Sequence, residues 1–312
     1  MFNVLGIEMN NIKNTFKIKD LENLTGIKAH TIRIWEKRYN LLKPLRSETN
    51  IRHYDLSSFQ KLLNITYLNK NGYKISKIAT LSDKEIINLV REIAEKYSLN
   101  DHAINAFKIS MLNFDQVLFY KTYESLLSEK KFQDIFYDIF IPLLTEIGLL
   151  WQTNTITPAH EHFLTTLIRK KILINTEKIQ SKGIVESKKT FVLYLPDNEI
   201  HELGIMFINY QIVLNGYQSI FLGLSTPIES LKDIKKFYDD IVFLSYFTVK
   251  PEKSEINSYL DSFYKELLKD SENELWVLGY MVNSINTGDL KPKIKIFKNI
   301  ESVIKKIKKN DV

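Results

Sequence analysis

Residues 18–55 read IKDLENLTGIKAHTIRIWEKRYNLLKPLRSETNIRHYD, and this stretch decides the fold of the N-terminal part of the chain. A first short helix is expected over Lys19–Leu24, with Asp20 near its N-terminus, where a carboxylate suits the helix dipole. Thr25-Gly26 supplies a turn, and a second helix follows over Lys28–Tyr39. Ile32 and Trp35 are three apart and pack inward, leaving His30, Thr31, Arg33, Lys37 and Arg38 around the rest of the helix. Pro44 breaks the chain, and Ile51–Tyr54 alternates like a short strand. The pattern is a helix-turn-helix with a basic second helix and a wing that carries further arginine. Downstream, Ser57 is expected to cap a third helix to about Lys70, Gly72 opens a turn, and Ser82-x-x-Glu85 forms a capping box for the next helix.

Charge is concentrated in the same place. The chain holds 43 Lys+Arg against 37 Asp+Glu, and residues 1–85 hold 15 of the cations but only 8 of the anions. The rest of the chain is therefore nearly neutral. A local positive excess on a winged helix fits a phosphate backbone, because neutralising phosphates and releasing counterions drives most nucleic-acid affinity. Double-stranded DNA is the expected partner, and a protein-binding winged helix is the alternative.

The 312 residues, 44% of them hydrophobic, suffice for two or three domains with real cores. The absence of cysteine excludes disulfides and thiolate metal sites. No apolar run approaches the length of about 18 residues that a membrane-spanning helix needs. The opening MFNVLGIEMNNIKNTF has an acid at Glu8 and no cleavable apolar core, so a cytoplasmic location is expected.

Three segments follow along the chain: 1–81 with the winged helix-turn-helix, 82–182 with a helical bundle, and 189–312 with an α/β domain. In the middle segment helical runs are expected near 82–97, 101–113, 114–128, 130–150 and 158–180, a four-helix bundle with an entry helix. Pro142 is expected to kink or split the fourth run, and Thr157-Pro158 starts the last one. Residues 181–189 look like a polar linker. The last segment alternates β-rich runs (Thr190–Leu195, Ser219–Leu222, Ile241–Tyr246, Leu275–Leu278, Ile294–Phe297) with helices (Glu202–Leu214, Ile228–Tyr238, Glu255–Lys269, Ile300–Lys309). That alternation predicts a Rossmann-like parallel sheet with helices on both faces, whose ligands sit beyond the carboxyl ends of the strands.

The first segment closely resembles the MerR family of winged-helix transcription regulators. The residues that carry the likeness are Ile18-Lys19-Asp20-Leu21, Thr25-Gly26-Ile27, the run from His30 to Tyr39, and Asn50-Ile51-Arg52-His53-Tyr54. The resemblance implies that His30, Thr31, Arg33 and Lys37 touch DNA from the second helix. It assigns Arg46, Asn50, Arg52 and Tyr54 the same role from the wing.

The other two segments resemble the light-sensing, cobalamin-dependent branch of that family. Trp151 is followed after nine residues by Glu161-His162, and Glu199-Ile200-His201-Glu202-Leu203-Gly204 matches the motif acid-x-His-x-x-Gly in the loop after the first strand. The resemblance implies adenosylcobalamin held between bundle and α/β domain, with His201 on cobalt and Glu199 fixing its tautomer. Gly204 would allow close approach, and Ser245 and Gly279 match small residues lining the nucleotide tail. Trp151 and Glu161 would cover the adenosyl group, with His162 beside them in a more structural role.

Two positions depart from the pattern. Gln152 stands where the best light sensors have a cobalt-capturing histidine, leaving His160 or His162 as the nearby imidazoles, and Tyr280 stands where a second glycine is usual. The reading is a DNA-binding regulator, not an enzyme, that self-associates on a repeated operator under cobalamin control. The short helix from Ser82 to Tyr97 places that assembly in the bundle or the cofactor domain. A cofactor-free repressor with a vestigial cobalamin domain is the alternative, and a cobalamin-dependent methyl carrier or mutase fragment is the enzymatic rival.

Overall fold

A computed structural model describes residues 15–47, 50–97, 99–153, 155–181 and 189–309. The N-terminal stretch and the polar segment 182–188 lie outside the described residues. The chain divides into two compact units, Met1–Thr166 and Leu167–Val312.

The first unit opens with β1 (Thr15–Lys17), α1 (Ile18–Thr25) and α2 (Ala29–Tyr39), followed by the hairpin β2 (Leu45–Arg46) and β3 (Arg52–Asp55). Strand β1 was not expected from the sequence; it pairs antiparallel with β3, which also pairs with β2. Gly26, at φ +75°, closes α1 in the left-handed conformation and turns the chain into α2. Ile32 and Trp35 are buried as their spacing requires, with Phe16, Leu21 and Phe59. Helix α3 (Leu56–Lys70) is capped by Asp55, whose Oδ1 accepts from the Ser58 N–H at 2.8 Å. The expected cap was Ser57, but Asp55 sits one residue before the helix, where a side chain reaches the free N–H groups. The short α4 (Ile75–Ile78) leads to α5 (Asp83–Tyr97), and the Ser82/Glu85 capping box is formed in both directions.

The remaining helices of this unit are α6 (Leu99–Asn113), α7 (Gln116–Leu127), α8 (Phe132–Ile135), α9 (Ile141–Gln152) and α10 (Pro158–Gln180), within which the division between units falls. Their core is aromatic, with Phe107, Phe119, Tyr123, Phe136 and Phe140 in mutual ring contact. The fourth run is interrupted just ahead of Pro142, which stands in the first turn of α9. A π turn at Phe136–Phe140 joins α8 to α9 ahead of it, and the widened ring accommodates a residue with no N–H to donate.

The second unit is a five-stranded parallel sheet of β4 (Thr190–Tyr194), β5 (Gln218–Gly223), β6 (Ile241–Tyr246), β7 (Glu274–Leu278) and β8 (Ile294–Ile296), in the order β5-β4-β6-β7-β8. All five expected strands are present. Every residue of β4 is buried, as a strand covered on both faces must be. Val192 and Tyr194 pack with Phe243, Leu260 and Phe263 on one face. On the other, Phe191 meets the rings of Tyr217 and Trp276. The helices are α11 (Leu203–Leu214), α12 (Ile228–Leu231), α13 (Ile256–Phe263) and α14 (Ile300–Lys309). Two are less regular than expected. The run from Ile228 to Tyr238 yields only the single turn of α12 and a 3₁₀ turn at Ile234–Lys236, and α13 passes into a π turn at Tyr264–Leu268. No helix among the described residues is long and apolar enough to cross a membrane.

The strand order reverses between β4 and β6, and a parallel sheet of this kind takes its ligands in a crevice beyond the carboxyl ends of the strands at such a switch point. Gly279, following β7, borders this region at φ +112°. A Cβ there would lie 2.4 Å from the Phe247 carbonyl oxygen. Gly279→Ala should therefore destabilise the α/β unit by roughly 2–4 kcal/mol, through overpacking plus backbone strain. Denaturant unfolding followed by far-UV circular dichroism measures the loss.

Candidate functional site

Two surfaces collect the residues singled out by the sequence. The first is α2 with the wing. His30, Arg33 and Lys37 are exposed along α2, and Thr31 is half-buried. Arg33 and Lys37 lie one turn apart, so their charges share a face. On the wing, Arg46 donates to the Asn50 side chain, and Asn50, at φ 60°, helps turn the hairpin through an N–H bond to the Ser47 carbonyl at 2.8 Å.

Behind that surface stands Glu36, which the sequence reading did not single out. Its Oε2 accepts from Arg52 Nε at 3.0 Å, and its Oε1 accepts from the Tyr54 hydroxyl. The Glu36 side chain is 8% exposed, so one nearly buried carboxylate fastens α2 to β3. Tyr54 is itself 1% exposed. The expectation that Tyr54 touches DNA is corrected here, because a ring in the core with its hydroxyl committed to Glu36 presents no surface to a phosphate. Burial and the Glu36 carboxylate both hold its phenol protonated well above the ordinary range. Arg52 remains half-buried at the surface with its Nε engaged.

The second surface is the crevice between β4 and β6. Glu199, in the loop after β4, is completely buried. Its Oε1 accepts from the N–H groups of Ile200 (2.9 Å) and His201 (3.0 Å) and lies 2.6 Å from His201 Nδ1. Its Oε2 accepts from the N–H groups of Thr248, Val249 and Lys250, at 3.1, 2.6 and 2.9 Å. Desolvation alone would raise the Glu199 pKa. The His201 ring and the backbone donors outweigh it and bring the value down to about 2. With Nδ1–H given to the carboxylate, the lone pair of the neutral imidazole is on Nε2, and the His201 side chain is 47% exposed. This is the arrangement by which a carboxylate orients a metal-binding histidine.

The small residues around the crevice are closely engaged. Ser245 is buried and donates to the Tyr194 carbonyl at 2.9 Å. A Cβ on Gly204 would meet the Tyr246 ring at 2.7 Å, so that ring rests directly on the glycine. Tyr280 does not fill the crevice; it is 76% exposed. The oriented His201 imidazole therefore has the chemistry of a metal-binding nitrogen, while the position beside Gly204 is occupied by the Tyr246 ring.

In the first unit, Trp151 stands in the last turn of α9 and Glu161 and His162 in the first turns of α10. Trp151 is 52% exposed, an uncommon placement for an indole. Glu161 is half-buried and His162 exposed. His160 is buried and structural: its Nδ1 accepts from the Thr157 N–H at 3.2 Å, and its ring stacks on Phe114 with centroids 4.8 Å apart. The side chain of Gln152 lies outside the described residues.

Residues 16–85 match the family described as "MerR HTH family regulatory protein", and residues 103–174 match the family described as "B12 binding domain". The chain is 25% identical over 225 residues to the HTH-type transcriptional repressor CarH of Myxococcus xanthus, covering 70% of this chain and 74% of that protein. It is 25% identical over 247 residues to the repressor CarA of the same organism, covering 77% and 79%. Among solved structures it is similar to the monomethylamine corrinoid protein of Methanosarcina barkeri, with a TM-score of 0.55 at 14% identity over 68% of this chain and all of that one; this likeness concerns the fold. The chain thus carries, in order, a segment that matches MerR helix-turn-helix regulators and a segment that matches B12 binding domains.

The buried carboxylate makes stability depend on pH. Because the Glu199 pKa is lowered on folding from 4.5 to about 2, its contribution is fully present above pH 4.5 and disappears as the pH falls towards 2. Glu199→Gln should cost on the order of 3 kcal/mol at neutral pH and flatten this acid limb. Urea unfolding between pH 2.5 and 7 reads both effects; equal acid limbs in the parent and the variant would contradict the assignment.

Proposed function

We propose that this MerR-type, B12-binding chain is a transcription regulator whose hold on its operator is set by cobalamin. The observation that carries the cofactor reading is the Glu199–His201 pair: a fully buried carboxylate fixing a half-exposed imidazole at the switch point of a parallel sheet. Cobalamin, when bound, would supply a cobalt that accepts an imidazole nitrogen. His201 would hold it, and Glu199 would fix the ring and tautomer of His201. Gly204, Ser245 and Gly279 are proposed to line the rest of the site. Trp151 and Glu161 are proposed to cover an adenosyl group, with His162 beside them. The adenosyl form, and with it sensitivity to light, belongs to this proposal.

For DNA, the proposed contacts are His30, Thr31, Arg33 and Lys37 from α2, and Arg46, Asn50 and Arg52 from the wing. Glu36 and Tyr54 position them. We assign the chain no catalytic role, a cytoplasmic site of action, and a homo-oligomeric working form that places two or more winged helices on a repeated operator. Residues 1–81 would read DNA, 82–182 cap the cofactor and 189–312 hold it. The Tyr246 ring resting on Gly204 favours one second reading, a repressor that keeps the α/β fold without retaining the cofactor.

One preparation separates the two. After incubation with adenosylcobalamin in the dark and desalting, corrin absorbance should co-elute with the protein, and His201→Ala should lose most of it. A colourless protein that still binds promoter DNA would establish the second reading. On the DNA side, Arg33→Ala should weaken operator binding by about 1–3 kcal/mol if it reads a base, or lower the salt dependence by about one ion if it holds a phosphate. Cofactor retention should be unchanged in that variant. Fluorescence anisotropy at several salt concentrations distinguishes these outcomes.

A further inference from the structure

A cavity of about 70 Å³ for water centres lies within the first unit, walled by α1 and α3 of the winged helix and by α6 and α9 of the bundle. Roughly 10–15 Å³ measured in this way holds one water, so about five positions are open, enough for a molecule of a few heavy atoms. Three buried polar residues line it, and one of them, Thr25, already gives its hydroxyl to the Leu21 carbonyl at 2.7 Å. Thr66 on α3 is 5% exposed, and its hydroxyl has no hydrogen-bond partner. Lys108 on α6 has a side chain only 6% exposed, and its ammonium is paired with Glu146 on α9. An ammonium carries three N–H donors, so a single carboxylate oxygen leaves donor capacity over. Buried donors without acceptors are costly, and a native structure that keeps them calls for a reason.

The remaining wall decides what kind of molecule fits. Leu24, Leu63 and Ile104 supply an apolar side, while Asp101 and Glu146 place two carboxylates on the lining. Against them stand Lys70 and Lys108, so the lining balances two cations with two anions and has no positive excess to hold a dianion such as phosphate. An acceptor end for Thr66 and Lys108, one negative charge and a short alkyl portion describe a small monocarboxylate. We propose that this cavity is a second small-molecule site, taking a short-chain monocarboxylic acid whose carboxylate bonds Thr66 and Lys108 and whose alkyl end lies on Leu24, Leu63 and Ile104. Because its walls come from both the winged helix and the bundle, occupancy stiffens the junction between them. The site shares no residue with the crevice around His201, so it stands whether or not cobalamin is retained.

The test is calorimetric titration of the full chain with butyrate, with butanol, butylammonium and inorganic phosphate as comparisons. Butyrate should bind saturably and the other three at least tenfold more weakly. Thr66→Val removes the hydroxyl at constant shape; it should weaken butyrate about three- to tenfold, and it should melt no lower than the parent without ligand, because an unpaired polar group has been removed. Lys108→Met should abolish binding. Should Lys108→Met fail to fold, Thr66→Val decides alone. The proposal is overturned if butyrate gives no saturable heat, which would leave the cavity to ordered water. It is equally overturned if butanol or phosphate matches butyrate, or if Thr66→Val binds as tightly as the parent.

Discussion

A single buried charge organises the α/β unit. Glu199 has no exposure to solvent, and an isolated carboxylate there would be strongly disfavoured or neutralised. It stays ionised because five backbone N–H groups and one imidazole surround its two oxygens, three of the N–H groups coming from a loop some fifty residues further along the chain. Charge-assisted bonds of this kind are stronger than neutral ones, and the low dielectric around them strengthens them further. The loops after β4 and β6, at the switch point, are therefore held to one centre. The half-exposed His201 ring is bonded to that centre through Nδ1.

The winged helix uses the same device on a smaller scale. Glu36 lies on the helix expected to enter a groove, and it accepts from Arg52 and Tyr54 on the strand of the wing. The two surfaces that must meet DNA together are joined by a carboxylate with little exposure, so their spacing is fixed before any partner arrives. Preorganisation of this sort lowers the ordering cost of binding. It also explains a tyrosine in a wing motif that makes no surface: Tyr54 completes the set of donors to Glu36 and is buried in the core with Phe16 and Phe59.

Local patterns in the sequence located most elements, because helix periodicity, strand-rich runs and end signals act within a few residues. Ile32 and Trp35 face inward, Ser82 and Glu85 cap α5, and the five strands of the sheet coincide with the β-rich runs. What escaped the sequence was set across long separations. The Glu36 contacts span 16 and 18 residues, and the N–H donors at 248–250 reach Glu199 from the far side of a crossover. No spacing rule connects such positions. Pro142 marked the place of an irregularity but not its form: proline forbids an ordinary α-helical bond, and a π turn just before it removes the need for that bond. The region around Ile228–Tyr238 has helical composition, yet only Leu231 of its two short turns is buried, too little to hold a longer helix.

The motif residues around the crevice differ in how much they say about a ligand. Gly279 is required by the Phe247 backbone, and Ser245 is engaged with the Tyr194 carbonyl; both would be needed in a sheet that bound nothing. Gly204 is covered by Tyr246, so its lack of a side chain is also accounted for by packing within the unit. Small residues at these positions are thus compatible with a cofactor without pointing to one. The Glu199–His201 pair is different in kind. The backbone donors of the two loops would satisfy the carboxylate without an imidazole, and a half-exposed ring adds little to the core. A buried charge that fixes the tautomer of a half-exposed histidine leaves the ring lone pair on Nε2, which is the form in which an imidazole serves as a metal ligand.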